Sequence, residues 1–211
     1  GQLVAARQFL QLAKTHGSSK KNLFPEFTFY ECHTCHHSVE TVRWQARRTN
    51  PLGPGQMRLN DSTILISVSI LKVIDRKSAK ELERLVRRMH SASLTTGAEL
   101  GETISQLDNL LSDALDKTKN YNFSSTSAAD ILKELTGAGR DGEYSDFSSA
   151  EQAVMGIAVL VEELRFNNRM DLLPNDIENK LNDFYMVLEN EDSYRPVRLQ
   201  EKMRNLKKTI K

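Results

Sequence analysis

The sequence predicts an all-α protein, an irregular bundle of packed helices, on three observations. Apolar residues recur at three- and four-residue spacings: Leu82, Leu85, Val86 and Met89, then Ile104, Leu107, Leu111 and Ala114, then Val154, Ile157, Val161 and Leu164. Two of these runs follow pairs with the spacing of a capping box, Ser78 with Glu81 and Ser148 with Glu151. The 211 residues are 39% hydrophobic, enough for one substantial core or two small ones and unlike a disordered chain.

Taken in order, Gly1 to Ala13 reads as a helix with Leu3, Ala6, Leu10 and Ala13 along one face, ended by Gly17-Ser18-Ser19. Lys20-Lys21 reads as a solvated pair, and the aromatic residues Phe24, Phe27, Phe29 and Tyr30 gather after it around a bend at Pro25. Val39 to Arg48 is expected to be helical, with Trp44 on one face and Val42 and Ala46 on another, before Pro51-Leu52-Gly53-Pro54-Gly55 interrupts regular structure. Leu59 to Ile74 fits both a strand, through Ile64, Ile66, Val68 and Ile70, and a helix, through Ile64, Leu65, Val68 and Leu71; the helices that follow favour the helix.

Small and polar residues make Ser91 to Gly101 a connector, and Asn120 to Thr126 another. A short helix is expected over Ala128 to Leu135, broken by Gly137-Ala138-Gly139. Pro174 suits the first turn of a helix whose stripe is Ile177, Leu181, Phe184 and Leu188. The end is basic (Arg195, Arg198, Lys202, Arg204, Lys207, Lys208, Lys211) and reads as a short helix through Leu199, Met203, Leu206 and Ile210 or as a tail. The organisation expected is therefore a 1–58 segment, a 59–194 helical packing unit and a 195–211 basic terminus.

With 29 basic and 28 acidic residues the formal charge is +1, so composition gives no reason to expect a nucleic-acid or membrane-surface protein. No uninterrupted apolar stretch reaches the roughly 18 residues of a membrane span. The two cysteines do not suggest an extracellular disulfide scaffold.

They stand instead in Glu31-Cys32-His33-Thr34-Cys35-His36-His37, which contains C-x-x-C-H. Thiols at this spacing reach two vinyl groups on one porphyrin edge, and the following imidazole turns under the iron. Cys32 and Cys35 are thus expected to hold haem c, with His36 as proximal iron ligand. His16 and His90 are the candidates for the distal position, ahead of Met57 and Met89, and an open iron position is the further option. The arginines at 43, 47 and 48 suit propionate pairing or a solvated surface. The alternative is structural zinc on Cys32 and Cys35 with nitrogens from His36, His37 or His90, in a helical assembly or adaptor module. A thioredoxin-like dithiol is disfavoured, because the strands it needs are missing from the pattern.

Leu23-Phe24-Pro25-Glu26-Phe27, Tyr30 to His37 and Trp44, together with the opening Gly1-Gln2-Leu3-Val4-Ala5-Ala6-Arg7, resemble the C-terminal haem-binding region of bacterial multiheme cytochromes c of the cytochrome c-554-like group, over about the first sixty residues. The resemblance implies a covalent haem near an N-terminal helix-loop-helix, electron transfer rather than catalysis, and a periplasmic or otherwise extracytoplasmic location with the signal peptide absent from this chain. It also implies a redox-partner protein or neighbouring haem subunit, which His37 could serve as a ligand; the basic terminus suits an acidic docking partner. Members of that group carry several such motifs and this chain carries one, which fits a piece of a longer carrier or a related single-haem protein.

Overall fold

The computed structural model describes residues 1–17, 26–31, 44–95 and 97–211. Its helices are α1 (Gln2–Gly17), α2 (Ser62–Ile74), α3 (Arg76–Ala92), α4 (Gly97–Lys119), α5 (Ser125–Arg140), α6 (Phe147–Phe166), α7 (Ile177–Val187) and α8 (Pro196–Lys207). Among the described residues there is no strand beyond isolated antiparallel bridges, Tyr30 with Leu59 and Arg47 with Asn50. The architecture is an irregular all-α bundle.

Helix α2 resolves the ambiguity of its own sequence. Ile64, Leu65, Ile66, Ser67, Val68, Ser69 and Leu71 are all buried, so apolar residues surround the axis and neither a helical nor a strand period stands out. Leu65 and Ile66 enter a cluster built from α5, α6, α7 and α8, whereas Ile64, Val68 and Leu71 enter a second built from α1, α3 and α4. Both cores therefore share α2 as a wall. The stripes expected on α1, α3, α4 and α6 lie in these cores, and Phe29 packs edge-on against Phe9 at 5.7 Å.

Several element ends differ from expectation. The cap of α3 is Asp75, which accepts from the backbone N–H groups of Lys77 and Ser78; Ser78 is inside the helix, and Glu81 pairs with Arg84. Likewise Asp146 caps α6 by accepting from the Ser149 N–H at 2.7 Å, in place of Ser148. An aspartate two or three residues earlier starts each helix by accepting from its first-turn N–H groups, which leaves Ser78 and Ser148 inside the first turn. Helix α4 starts at Gly97, within the expected connector, and Pro174 precedes the first turn of α7. The described part of the segment expected to be helical before Arg48, Trp44 to Ala46, has no regular structure; residues 39–43 lie outside the described residues.

The largest departure is α5, which continues through Gly137-Ala138-Gly139 to Arg140. These glycines accommodate α8: a Cβ at Gly139 would lie 2.6 Å from Met203 Cγ, and one at Gly137 would lie 2.3 Å from Lys207 Nζ. Close packing, which a local reading of glycine as a breaker misses, explains them. Leu199, Met203 and Leu206 of α8 are buried, and the buried Tyr194 before it donates its hydroxyl to the Tyr144 carbonyl at 2.7 Å. The basic terminus is thus a core helix.

Candidate functional site: a buried charge cluster bracketing the cysteine segment

Cys32, Cys35 and His36 lie outside the described residues, as do His37 and Arg43. The chain on either side of them is described, and both flanks are fixed at one end of the bundle. Before the motif, the Glu31 N–H donates to the Arg58 carbonyl at 2.9 Å and the Asn60 N–H to the Phe29 carbonyl at 2.8 Å. Residues 29–31 thereby run along residues 58–60, immediately ahead of α2.

After the motif, Arg47 provides the anchor. Its Nη2 donates to both carboxylate oxygens of Asp61, at 3.0 and 2.8 Å, and its Nη1 donates to Asp146 at 2.8 Å and to the Glu143 carbonyl at 3.3 Å. Arg58 reaches the same Asp146 oxygen with Nη2 at 3.0 Å and Ser145 Oγ with Nη1 at 3.2 Å. Glu143 accepts the Thr49 hydroxyl at 2.6 Å and the backbone N–H groups of Arg48 and Thr49. Next along, Gln45 accepts from Gln200 of α8. Asp61 stands before the first residue of α2 and Asp146 before that of α6, so helix starts deliver both carboxylates to this cluster.

Arg47, Asp61, Glu143 and Asp146 are all buried, which makes their pairing obligatory. Burial alone would push the Asp61 carboxyl up, but Arg47, with help from His90 and Arg58, holds it well below the usual carboxylate range. Burial lowers the pKa of His90 below its ordinary value, against the pull of Asp61. At neutral pH the ring is therefore uncharged, and Nε2, 2.9 Å from Asp61 Oδ2, carries the hydrogen that the carboxylate accepts. Nδ1 keeps a lone pair and has no hydrogen-bond partner among the described residues.

The residues expected at the site fall out unequally. His16 is in the last turn of α1, and its side chain lies outside the described residues. His90 is fully buried near the end of α3 with one nitrogen committed to Asp61. Met89 is in the core and Met57 is half-buried. Arg47, considered for a propionate, has no exposed side-chain surface and is consumed by Asp61 and Asp146, which corrects that expectation. Arg48 is exposed and pairs with Glu83. On the two flanks Phe27 is 75% and Trp44 42% exposed, so both rings offer apolar surface beside the motif. Among the described residues no group of three or more His, Cys, Asp or Glu side chains is placed to hold a metal.

Asp61, Asp146, Glu143 and Arg58 escaped the sequence reading. A signal existed for two of them: Asp61 and Asp146 each precede a helix with serine nearby, the composition of a cap. That they are buried follows only from the packing of α2 against α3 and α6. Comparison with family models, with curated proteins and with solved structures finds no match to this chain.

Proposed function

We propose that this chain is an electron-transfer domain of the c-type cytochrome kind, holding one haem through Cys32 and Cys35 with His36 as the proximal ligand. The observation that carries this reading is C-x-x-C-H in a segment whose two flanks are tied to one buried charge cluster, by Glu31 to the Arg58 carbonyl and by Arg47 to Asp61 and Asp146. Covalent attachment needs the two thiols presented together, and clamped flanks restrict where they can go. The exposed rings of Phe27 and Trp44 fit a large apolar group beside them.

The haem, when bound, supplies a one-electron iron couple. The protein's share is to anchor the motif through the Arg47 and Arg58 pairs, to cover porphyrin edge with aromatic surface, and to set the polarity around the iron. His90 can offer a metal only Nδ1, since Asp61 occupies Nε2; His16 is the other distal candidate. The reading places the protein outside the cytoplasmic membrane, exchanging electrons with a partner protein or a neighbouring haem subunit. No helix among the described residues is long and apolar enough to cross a membrane.

The test is denaturing mass spectrometry combined with absorption spectroscopy on protein matured with a haem-attachment system. A mass increase of one haem and a reducible cytochrome spectrum are expected. Both sulfurs unmodified in such material would overturn the proposal, and bound zinc without porphyrin would select the structural-metal alternative. Changed low-spin bands in His16→Ala or in His90→Ala would assign the distal ligand.

A further inference from the structure

Away from the charge cluster, a cleft of about 520 Å³ opens between the two cores. Ile66 and Ile70 of α2 form its floor, Leu3 and Leu115 line the α1 and α4 side, and Leu135 and Val159 line the α5 and α6 side. This volume is within the roughly 300–1,000 Å³ of small-molecule sites, which commonly lie between the helices of bundles. Met155, Val159 and Phe123 around it are more than half exposed, so the apolar wall continues to the surface.

Two polar observations define what would fit. Gln2 lines the cleft; its Nε2 donates to Gln152 at 2.9 Å, while its Oε1 is buried without a hydrogen-bond partner. A buried acceptor left unmade is costly, so a ligand that donates to it gains more than one that cannot. Lys119, the one charged side chain among the described residues of the lining, has its ammonium 2.7 Å from the Asp116 carboxylate and the other lining side chains are uncharged, which favours a neutral ligand over an anion.

From this geometry we infer that the cleft binds a neutral amphiphile, a hydrocarbon or aryl body with a hydroxyl donor at its head. Gly156 offers a means of closing the site. A Cβ there would lie 3.5 Å from Leu135 Cδ1 and 4.0 Å from Ile66 Cγ2, ordinary contacts, so the backbone tolerates a side chain and a larger one fills the cleft.

Calorimetric titration of the full chain with 4-hexylphenol and with hexylbenzene tests the inference. Saturable one-to-one binding of the phenol is expected, about ten-fold tighter than that of hexylbenzene, which lacks the donor. Gly156→Leu should abolish binding with its helical circular dichroism and melting retained, and Gln2→Met should reduce the phenol to the affinity of hexylbenzene. Absence of saturable binding, equal affinity for the two probes, or undiminished binding by folded Gly156→Leu would each overturn the inference; if Gly156→Leu fails to fold, Gln2→Met decides. Sedimentation showing a dimer that Val159→Lys dissociates would assign the cleft to a second copy of the chain and overturn it as well.

Discussion

Arg47 holds its charge out of water between Asp61 and Asp146, and a buried ion pair of this kind tolerates the loss of one member poorly. Arg47→Met leaves the buried Asp61 without its guanidinium and Asp146 with Arg58 alone, and a loss of about 3–5 kcal/mol in urea unfolding is expected. A loss under about 1 kcal/mol, the range of surface pairs, would show that the cluster is hydrated in solution. His90 adds a pH dependence whose sign follows from its lowered pKa. The unfolded chain takes up a proton near pH 6.5 and the folded chain only at lower pH, so acidification through that window favours unfolding. Stability should therefore fall as pH drops below about 6.5, and His90→Gln should remove that part of the loss when unfolding is compared at about pH 5 and 7.5. Asp61, whose folded carboxyl titrates well below 3.8, contributes a second loss in stronger acid. Of this residue-scale detail, sequence pattern singled out the histidine and missed both aspartates. The meeting of Arg47 with carboxylates 14 and 99 positions away required the fold.

Among the elements, those with one buried face were legible and those with special ends were not. Leu82, Leu85, Val86 and Met89, and likewise Val154, Ile157, Val161 and Leu164, lie where their spacing puts them. Misread helix starts have a common cause: an aspartate two or three residues ahead of the serine already caps the helix, so the serine falls within the first turn. At the end of α5 the deciding partner, α8, is some sixty residues further along the chain. The two glycines there should respond differently to alanine. At Gly139 the added carbon meets Met203 in the core and Tyr144 at 3.1 Å, so a net destabilisation of about 1–3 kcal/mol is expected despite the better helix propensity of alanine. At Gly137 it meets only the end of the Lys207 side chain, which can swing aside at the cost of its hydrogen bond to the Lys133 carbonyl, so Gly137→Ala should lie within about 1 kcal/mol of neutral. Thermal melts of the two variants distinguish packing from helix breaking, which would stabilise both alike.

For the molecule as a whole, the all-α class was readable from periodicity, but the arrangement around α2 was not, because a helix buried on every side has no polar face to orient it. The role of α8 was equally hidden, since its many cations suggest solvent while Leu199, Met203 and Leu206 lie in the core. Deleting residues 196–211 should consequently abolish cooperative unfolding rather than merely alter salt-dependent docking, and a truncated chain melting with an unchanged midpoint would refute that assignment. The shared wall has its own implication for exchange with solvent deuterium. Opening either half must disturb the same thirteen-residue rod, so its amides gain protection from both sides and should be the last to exchange.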